Sequence, residues 1–86
     1  MIIRYHPEFK KQYKKLPAKI QRQFVGRLRI FKADPADARL RIHPLKGKYA
    51  GYWTMNVSGD FRALFYRDGD DIIIFGLIGT HSELYG

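Results

Sequence analysis

The sequence predicts an α+β domain in which a small antiparallel sheet is covered on one face by a hairpin of two helices. Two amphipathic helical patterns in the first half and period-two alternation in the second predict the order β-α-α-β-β-β. A chain of 86 residues, 45% of them hydrophobic, can bury one core and is too short for two. We therefore expect residues 1–86 to form a single domain.

The first half contains a strand followed by the two helices. Residues 2–6 include two adjacent isoleucines and a tyrosine, which favour a short strand. Residues 8–16 carry apolar side chains at i, i+4 and i+7, so one face of a helix is apolar. Pro17 begins a second helix with apolar side chains at i, i+4, i+8 and i+11, and Asp34-Pro35 ends it.

Residues 36–51 show no helical or strand period and are rich in lysine, arginine and glycine. We expect a basic loop there, with a short extended piece at residues 40–43. Such a loop is either a solvated connector or a non-specific contact for a phosphodiester backbone. The cations available for that contact are Arg41, Lys46 and Lys48.

The second half predicts a meander of three strands. Residues 53–58 alternate between apolar and polar side chains, as a half-buried strand does. Turns at residues 58–60 and 68–70 separate this strand from strands at residues 61–66 and 71–78. The helical hairpin needs to cover only one face of this meander, which leaves the other face open to a ligand.

The charge is strongly positive and unevenly distributed. The chain has 16 Lys and Arg against 8 Asp and Glu, a net charge of +8. Residues 1–50 carry a net +11, whereas residues 51–86 carry a net −3. A field this strong favours a polyanionic partner such as nucleic acid, an acidic protein or an anionic membrane, with solubility as the simpler explanation.

Several classes of protein are excluded. The absence of cysteine removes disulfides, thiolate metal sites and cysteine nucleophiles. No signal-peptide pattern or membrane-spanning apolar run is present, so we expect a cytoplasmic protein with no membrane partner. The histidines lack zinc-ligand spacing and the glycines match no nucleotide-binding motif, so we expect no metal and no cofactor.

A set of polar residues in the second half has the composition of a metal-independent RNA-cleaving site. Such a site needs a group that accepts the ribose 2′-OH proton, a group that protonates the departing 5′-oxygen, and a cation that balances the transition-state charge. Histidine suits the proton transfers and arginine suits the charge. The candidates are His43, Asp60, Arg62, His81 and Tyr85.

Each candidate also has a purely structural interpretation. His43 and His81 can bond local backbone, Asp60 can close its turn, and Arg62 can pair across strands. Tyr85 can pack against the sheet. The same choice, stacking on bases or packing in the fold, applies to further aromatic side chains, namely Tyr49, Tyr52 and Tyr66.

Three motifs resemble the RelE/ParE superfamily of bacterial toxins, and its YafQ-like branch most of all. They are HPLKG at residues 43–47, GDFR at 59–62 and GTHSELYG at 79–86, with GY at 51–52 between them. The resemblance implies a small sheet with a helical hairpin on one side. It also implies metal-independent cleavage of messenger RNA in the ribosomal A site and a cognate antitoxin that neutralises the toxin.

The resemblance also implies roles for individual residues. His81, in the GTH motif, corresponds to the general acid, and Tyr85 to the terminal aromatic. Arg62 corresponds to an arginine near the scissile phosphate in RelE-like members. His43 and Asp60 both occupy family site positions, so the identity of the general base stays open between them.

The chain departs from the YafQ-like pattern at two positions. Asn56 stands where the pattern has a further histidine, and Leu77 where it has an arginine. Asn56 cannot shuttle protons and Leu77 cannot hold an anion, so we expect Arg62 to replace the missing cation.

Two other functions fit the same fold. One is a non-nuclease gyrase inhibitor of the ParE type, which usually lacks the catalytic histidines. The other is a decayed toxin homologue that only binds RNA. The retained His43 and His81 favour the nuclease.

Overall fold

The structure is a computed structural model that describes residues 1–85, so Gly86, the last residue of the third motif, lies outside it. The order of helices and strands confirms the predicted α+β class and adds a two-residue strand and a terminal helix. The elements are β1 (Ile2–Tyr5), α1 (Pro7–Lys14), α2 (Ala18–Ala33), β2 (His43–Pro44), β3 (Trp53–Ser58), β4 (Phe61–Asp68), β5 (Ile72–Thr80) and α3 (His81–Tyr85).

The sheet has five strands in the order β1-β5-β4-β3-β2 and is mostly antiparallel. The exception is β1, which pairs with β5 in parallel, Ile2 opposite Ile72 and Tyr5 opposite Phe75. The predicted antiparallel sheet is therefore confirmed, with one parallel pair at this edge. A parallel pair needs a long crossover connection, and everything from α1 to β4 supplies it here.

The helical hairpin covers one face of the sheet, as predicted. Phe9 from α1 and Phe24 from α2 both pack against Phe75 of β5, with ring centroids 5.8 and 5.3 Å away. Phe31, also from α2, lies 5.3 Å from Phe65 of β4. These rings are all buried, so the apolar stripes read from the sequence form the core.

The segment from 36 to 51 is more ordered than the expected loop. It contains two 3-10 turns, Ala38–Leu40 and Gly47–Tyr49, on either side of β2. The extended piece is β2 and not residues 40–43, because Leu40 is fully buried in the first turn and Arg41 adopts a left-handed conformation with φ 49°. Burial of Leu40 thus holds the basic segment against the domain.

The face opposite the hairpin is only partly open, contrary to expectation. Tyrosine rings pack edge to face across it: Tyr49 lies 5.9 Å from Tyr52, which lies 5.3 Å from Tyr66. Gly76 allows this, because a Cβ atom there would sit 3.0 Å from Cε1 of Tyr52. These rings therefore pack against each other, the structural alternative considered above.

Candidate functional site

The end of β5 and the start of β4 bring several candidate residues to one corner of the sheet. The main-chain N–H of His81 donates to the main-chain oxygen of Asp60 at 3.1 Å. Arg62 lies opposite Gly79 in the β4–β5 ladder. His81 and Asp60 are exposed and Arg62 is half-buried. The corner therefore offers an imidazole, a carboxylate and a guanidinium to solvent within a few residues of each other.

The short helix α3 fixes the position of His81. The main-chain N–H of Thr80 donates to Oε1 of Glu83 at 2.8 Å, and the N–H of Glu83 donates to Oγ1 of Thr80 at 3.2 Å. This reciprocal pair is a capping box, and the bonds from Thr80 hold the pKa of the Glu83 carboxyl below its ordinary value. At the other end of α3, Leu84 is buried and its carbonyl accepts from the hydroxyl of Tyr49 at 2.6 Å.

Tyr85 is both a neighbour of His81 and part of the tyrosine cluster. Its ring centroid lies 4.7 Å from that of His81 and 5.5 Å from that of Tyr49. The ring is still 36% exposed, so it packs on one side and faces solvent on the other. This placement restricts the imidazole of His81 and leaves an aromatic surface beside it.

The guanidinium of Arg62 turns back toward the turn before β4. Nη1 donates to the carbonyl oxygens of Gly59 and Phe61, at 2.7 and 3.0 Å. Within residues 1–85 neither Nε nor Nη2 of Arg62 has a hydrogen-bond partner. One edge of the guanidinium is thus held in place while the other can bind an anion.

His43 stands on the edge strand of the sheet. It pairs with Thr54 on the short edge strand β2, and Thr54 pairs in turn with Leu64 of β4, which pairs with Leu77 of β5. Three strand spacings separate His43 from Leu77, about 14 Å at the spacing of neighbouring strands. His81 is the first residue of α3, whose C-terminal end contacts Tyr49 of the basic segment that also carries His43.

The ring of His43 is nevertheless oriented. Its Nδ1 lies 3.0 Å from the carbonyl oxygen of Arg41. A carbonyl only accepts, so Nδ1 is the donor in this contact. This contact matches the structural interpretation of His43 as a loop histidine bonded to local backbone.

The two departures from the YafQ-like pattern fall at different places. Asn56 lies directly opposite Arg62 in the β3–β4 ladder, whereas Leu77 lies opposite Leu64. Arg62 is therefore next to the position that lacks a histidine and one strand from the β5 residues that precede His81. A cation is present near the site in spite of Leu77.

The predicted RNA-binding cations are all exposed. Lys48 lies over the ring of Tyr49, 5.2 Å from its centroid, and Tyr49 in turn contacts Tyr85. Arg41 is held in its left-handed conformation just before β2. The basic segment thus borders the face that carries His81 and Tyr85, and Lys46 opens its second 3-10 turn.

Sequence reasoning missed the part that Arg27 plays. Its Nε donates to the carbonyl of Val57 at 3.2 Å and the side chain is half-buried. The available signal was its place beside Leu28 and three residues after Phe24, at the margin of the apolar stripe. A long side chain at the margin of an apolar stripe can extend over the neighbouring strand.

Within residues 1–85, no three histidine or acidic side chains gather in a group that could hold a metal ion. No helix in the same range is long and apolar enough to cross a bilayer.

Comparison with known proteins gives a consistent result. The sequence model of a family described as the bacterial toxin of type II toxin–antitoxin systems, YafQ, matches residues 1–86. The mRNA interferase toxin YafQ of Escherichia coli K12 is 36% identical over 52 residues, which are 60% of this chain and 55% of that protein. That match thus spans about half of the curated relative.

Solved structures match over nearly the whole chain. YafQ from E. coli BL21(DE3) superposes with a TM-score of 0.74 at 25% identity, covering 98% of this chain and 97% of the other. The YafQ component of the E. coli DinJ–YafQ complex superposes with a TM-score of 0.71 at 26% identity, with the same coverage.

Proposed function

Because the chain belongs to the YafQ family of bacterial type II toxins, we propose that it is an endoribonuclease that cleaves translated mRNA in the ribosomal A site. The curated relative is named an mRNA interferase, which supports the reaction class. The observation that carries the proposal is the main-chain hydrogen bond between His81 and Asp60 beside Arg62, because it brings residues with an imidazole, a carboxylate and a guanidinium to one corner of the sheet.

The reaction follows from these groups. Asp60 accepts the proton of the ribose 2′-OH, and the 2′-oxygen forms a bond to phosphorus. His81, in its protonated form, gives its proton to the 5′-oxygen as the bond from phosphorus to that oxygen breaks. The products are a 2′,3′-cyclic phosphate and a 5′-hydroxyl, and Arg62 balances the extra negative charge between these steps.

Asp60 is favoured over His43 as the proton acceptor because a general base must reach within hydrogen-bonding distance of the proton it removes. Asp60 is in main-chain contact with His81, whereas His43 stands on β2, three strand positions from β5. We assign His43 to substrate contact at the β2 edge. Tyr85 restricts the His81 ring and offers a surface on which a base can stack.

The positive first half of the chain supports the proposed ribosomal target. Residues 1–50 carry a net +11, and exposed lysine and arginine side chains gain affinity for RNA through release of counterions. Arg41, Lys46 and Lys48 border the site and are the cations proposed to hold RNA. Association with ribosomes should therefore weaken steeply with salt.

We further propose a cognate antitoxin protein as partner. A solved E. coli complex pairs YafQ with DinJ. The net charge of +8 favours an antitoxin whose contacting segment is acidic, since complementary charge speeds association and selects the partner.

The test is primer extension on translated mRNA after induced expression of the chain in cells. We expect cuts at codon boundaries, and His81→Ala should slow cleavage by about 10²- to 10⁴-fold, the usual contribution of a general acid. The matched control is His6→Asn. It also removes an imidazole but keeps an acceptor for the N–H of Glu8 at the start of α1.

Two results would overturn the assignment. Undiminished cleavage and growth arrest by the folded His81→Ala variant would remove His81 from the chemistry. DNA damage without transcript cleavage would support the gyrase inhibitor of the ParE type instead.

A further inference from the structure

A polar hollow lies beside the candidate site, between α2, the first 3-10 turn (Ala38–Leu40) and β3. It encloses about 420 Å³ and is lined by Arg27, Ala38, Arg39, Arg41 and Asn56. Three of its five lining residues are arginines. Such a concentration of guanidinium groups around one hollow is typical of a site for an oxyanion.

The strand register places this hollow next to Arg62. Arg41 lies two residues before β2, and it lines the hollow together with Asn56 of the neighbouring strand β3. Asn56 itself pairs with Arg62. Asn56, which lines the hollow, is thus the backbone partner of Arg62 on the adjacent strand, with the two main chains about 5 Å apart at the usual strand spacing.

The arginines are held by the fold rather than free in solvent. The bond from Nε of Arg27 to the carbonyl of Val57 fixes that side chain at the sheet. Arg39 forms two hydrogen bonds with the carboxylate of Asp37, at 2.8 and 3.0 Å. Arg41 is set by its left-handed backbone, just after the buried Leu40. Pre-placed donors lose less entropy when an anion binds.

Positive charge remains after the internal pairing is counted. Asp37 is the acid that faces these arginines, and bonds from Arg39, with a smaller contribution from Arg27, lower its pKa to about 2. Asp37 thus stays charged and offsets one arginine. Arg27 and Arg41 have no acidic partner within residues 1–85, and Asn56 adds a neutral amide.

We propose that this hollow binds a backbone phosphate of the RNA strand, next to the linkage that is cleaved. The proposal deepens the proposed function and rests on it for the identity of the strand. A phosphodiester offers two charged oxygens to guanidinium forks, and adjacent phosphates then occupy the hollow and Arg62. Asn56, which cannot transfer protons, acquires a role here as a hydrogen-bond donor to the backbone.

The experiment measures binding of a short, fluorescently labelled single-stranded RNA by anisotropy over a range of salt concentrations. The variant is Arg41→Asn, because asparagine tolerates the left-handed conformation at this position. The matched control is Arg29→Gln, an exposed arginine of α2 that does not line the hollow. Arg27→Gln is a second variant inside the hollow, with folding checked by circular dichroism.

We expect Arg41→Asn to weaken RNA binding about tenfold. This is the low end of the contribution of a hydrogen bond to a charged group, because Arg41 is exposed to solvent. The slope of log affinity against log salt should fall by about 0.7, the value for one phosphate of a single strand. Arg27→Gln should act in the same direction. Equal losses from Arg41→Asn and Arg29→Gln would overturn the proposal, because long-range charge alone would then explain the binding.

The same assay separates this proposal from the proposed function. His81→Ala should slow cleavage by about 10²- to 10⁴-fold, and an unchanged rate in this variant would count against the proposed function and not against the hollow. If Arg41→Asn binds RNA with normal affinity while His81→Ala is inactive, the phosphate site in the hollow is refuted and the proposed nuclease function stands. If a glutamate-rich peptide binds and Arg41→Asn weakens only the peptide, the hollow recognises an acidic protein and the RNA proposal is wrong.

Discussion

The capping box of α3 connects the stability of the domain to the position of its proposed general acid. Replacing Glu83 by alanine removes the oxygen that accepts from the N–H of Thr80 at 2.8 Å. It leaves the bond from the N–H of residue 83 to Oγ1 of Thr80, so the helix loses half of its cap. Because α3 has only five residues, that half is a large part of what holds its first turn.

The loss of stability in Glu83→Ala is limited by the contacts that α3 keeps. Loss of a capping interaction costs about 1 kcal/mol. Leu84 stays buried and Tyr49 still donates to its carbonyl, so α3 frays at the His81 end without leaving the sheet. In a domain of this length, about 1 kcal/mol lowers Tm by roughly 4–8 °C. Cleavage should also slow, because the His81 ring samples more positions.

The pH dependence identifies the carboxylate as the cause. The pKa of Glu83 is lowered in the folded protein, from an ordinary value of 4.5, chiefly by the N–H of Thr80. Its contribution is therefore complete above pH 4.5 and is lost as the pH falls through the lowered pKa. The Tm difference between the parent protein and Glu83→Gln should be present at pH 7 and vanish at strongly acidic pH.

Thermal unfolding followed by circular dichroism across pH measures this difference. Asp68→Asn is the control, since it neutralises an exposed acid at the end of β4. A Tm difference for Glu83→Gln that does not change with pH, or no difference at pH 7, would refute the reasoning.

Two further substitutions test the packing that supports the site. Gly76→Ala should destabilise the domain by about 1–3 kcal/mol in urea unfolding, because the new Cβ would meet the Tyr52 ring at 3.0 Å. Gly26→Ala in α2 is the control, because its Cβ meets nothing within 4 Å and alanine should stabilise the helix by about 0.5–1 kcal/mol. Equal effects of the two would contradict the tyrosine packing. Gln12→Met should cost about 1–3 kcal/mol, because Oε1 of Gln12 accepts from the buried N–H of Ile78 at 2.8 Å, and an unchanged urea midpoint would show that this bond is replaceable.

The sequence predicted the helices and strands that have a clear hydrophobic period, and it missed those that are defined only by pairing with a distant strand. The stripe through Phe24, Leu28 and Phe31 identified α2 because helical spacing is a local property. The parallel pairing of β1 with β5 joins residues 70 positions apart, Ile2 with Ile72, and no local pattern encodes it. β2 is too short to show alternation, so only its pairing with β3 defines it.

The candidate site divides in the same way. Motif and residue type singled out His81, Asp60 and Arg62, which lie together because the start of β4 pairs with the end of β5. The same reasoning added His43, which stands on the two-residue edge strand β2 that only its pairing with β3 defines. Arg27 was missed, since its contact with Val57 exists only once α2 packs on β3.

Single-turnover cleavage of mRNA on programmed ribosomes by His81→Ala, Asp60→Asn and His43→Ala tests the catalytic corner most directly. We predict that His81→Ala and Asp60→Asn each lose about 100-fold or more in rate, while His43→Ala stays within about tenfold of the parent protein. A loss in His43→Ala as large as that in His81→Ala, with Asp60→Asn near normal, would contradict the assignment of the chemistry to the corner where β4 begins and α3 follows β5.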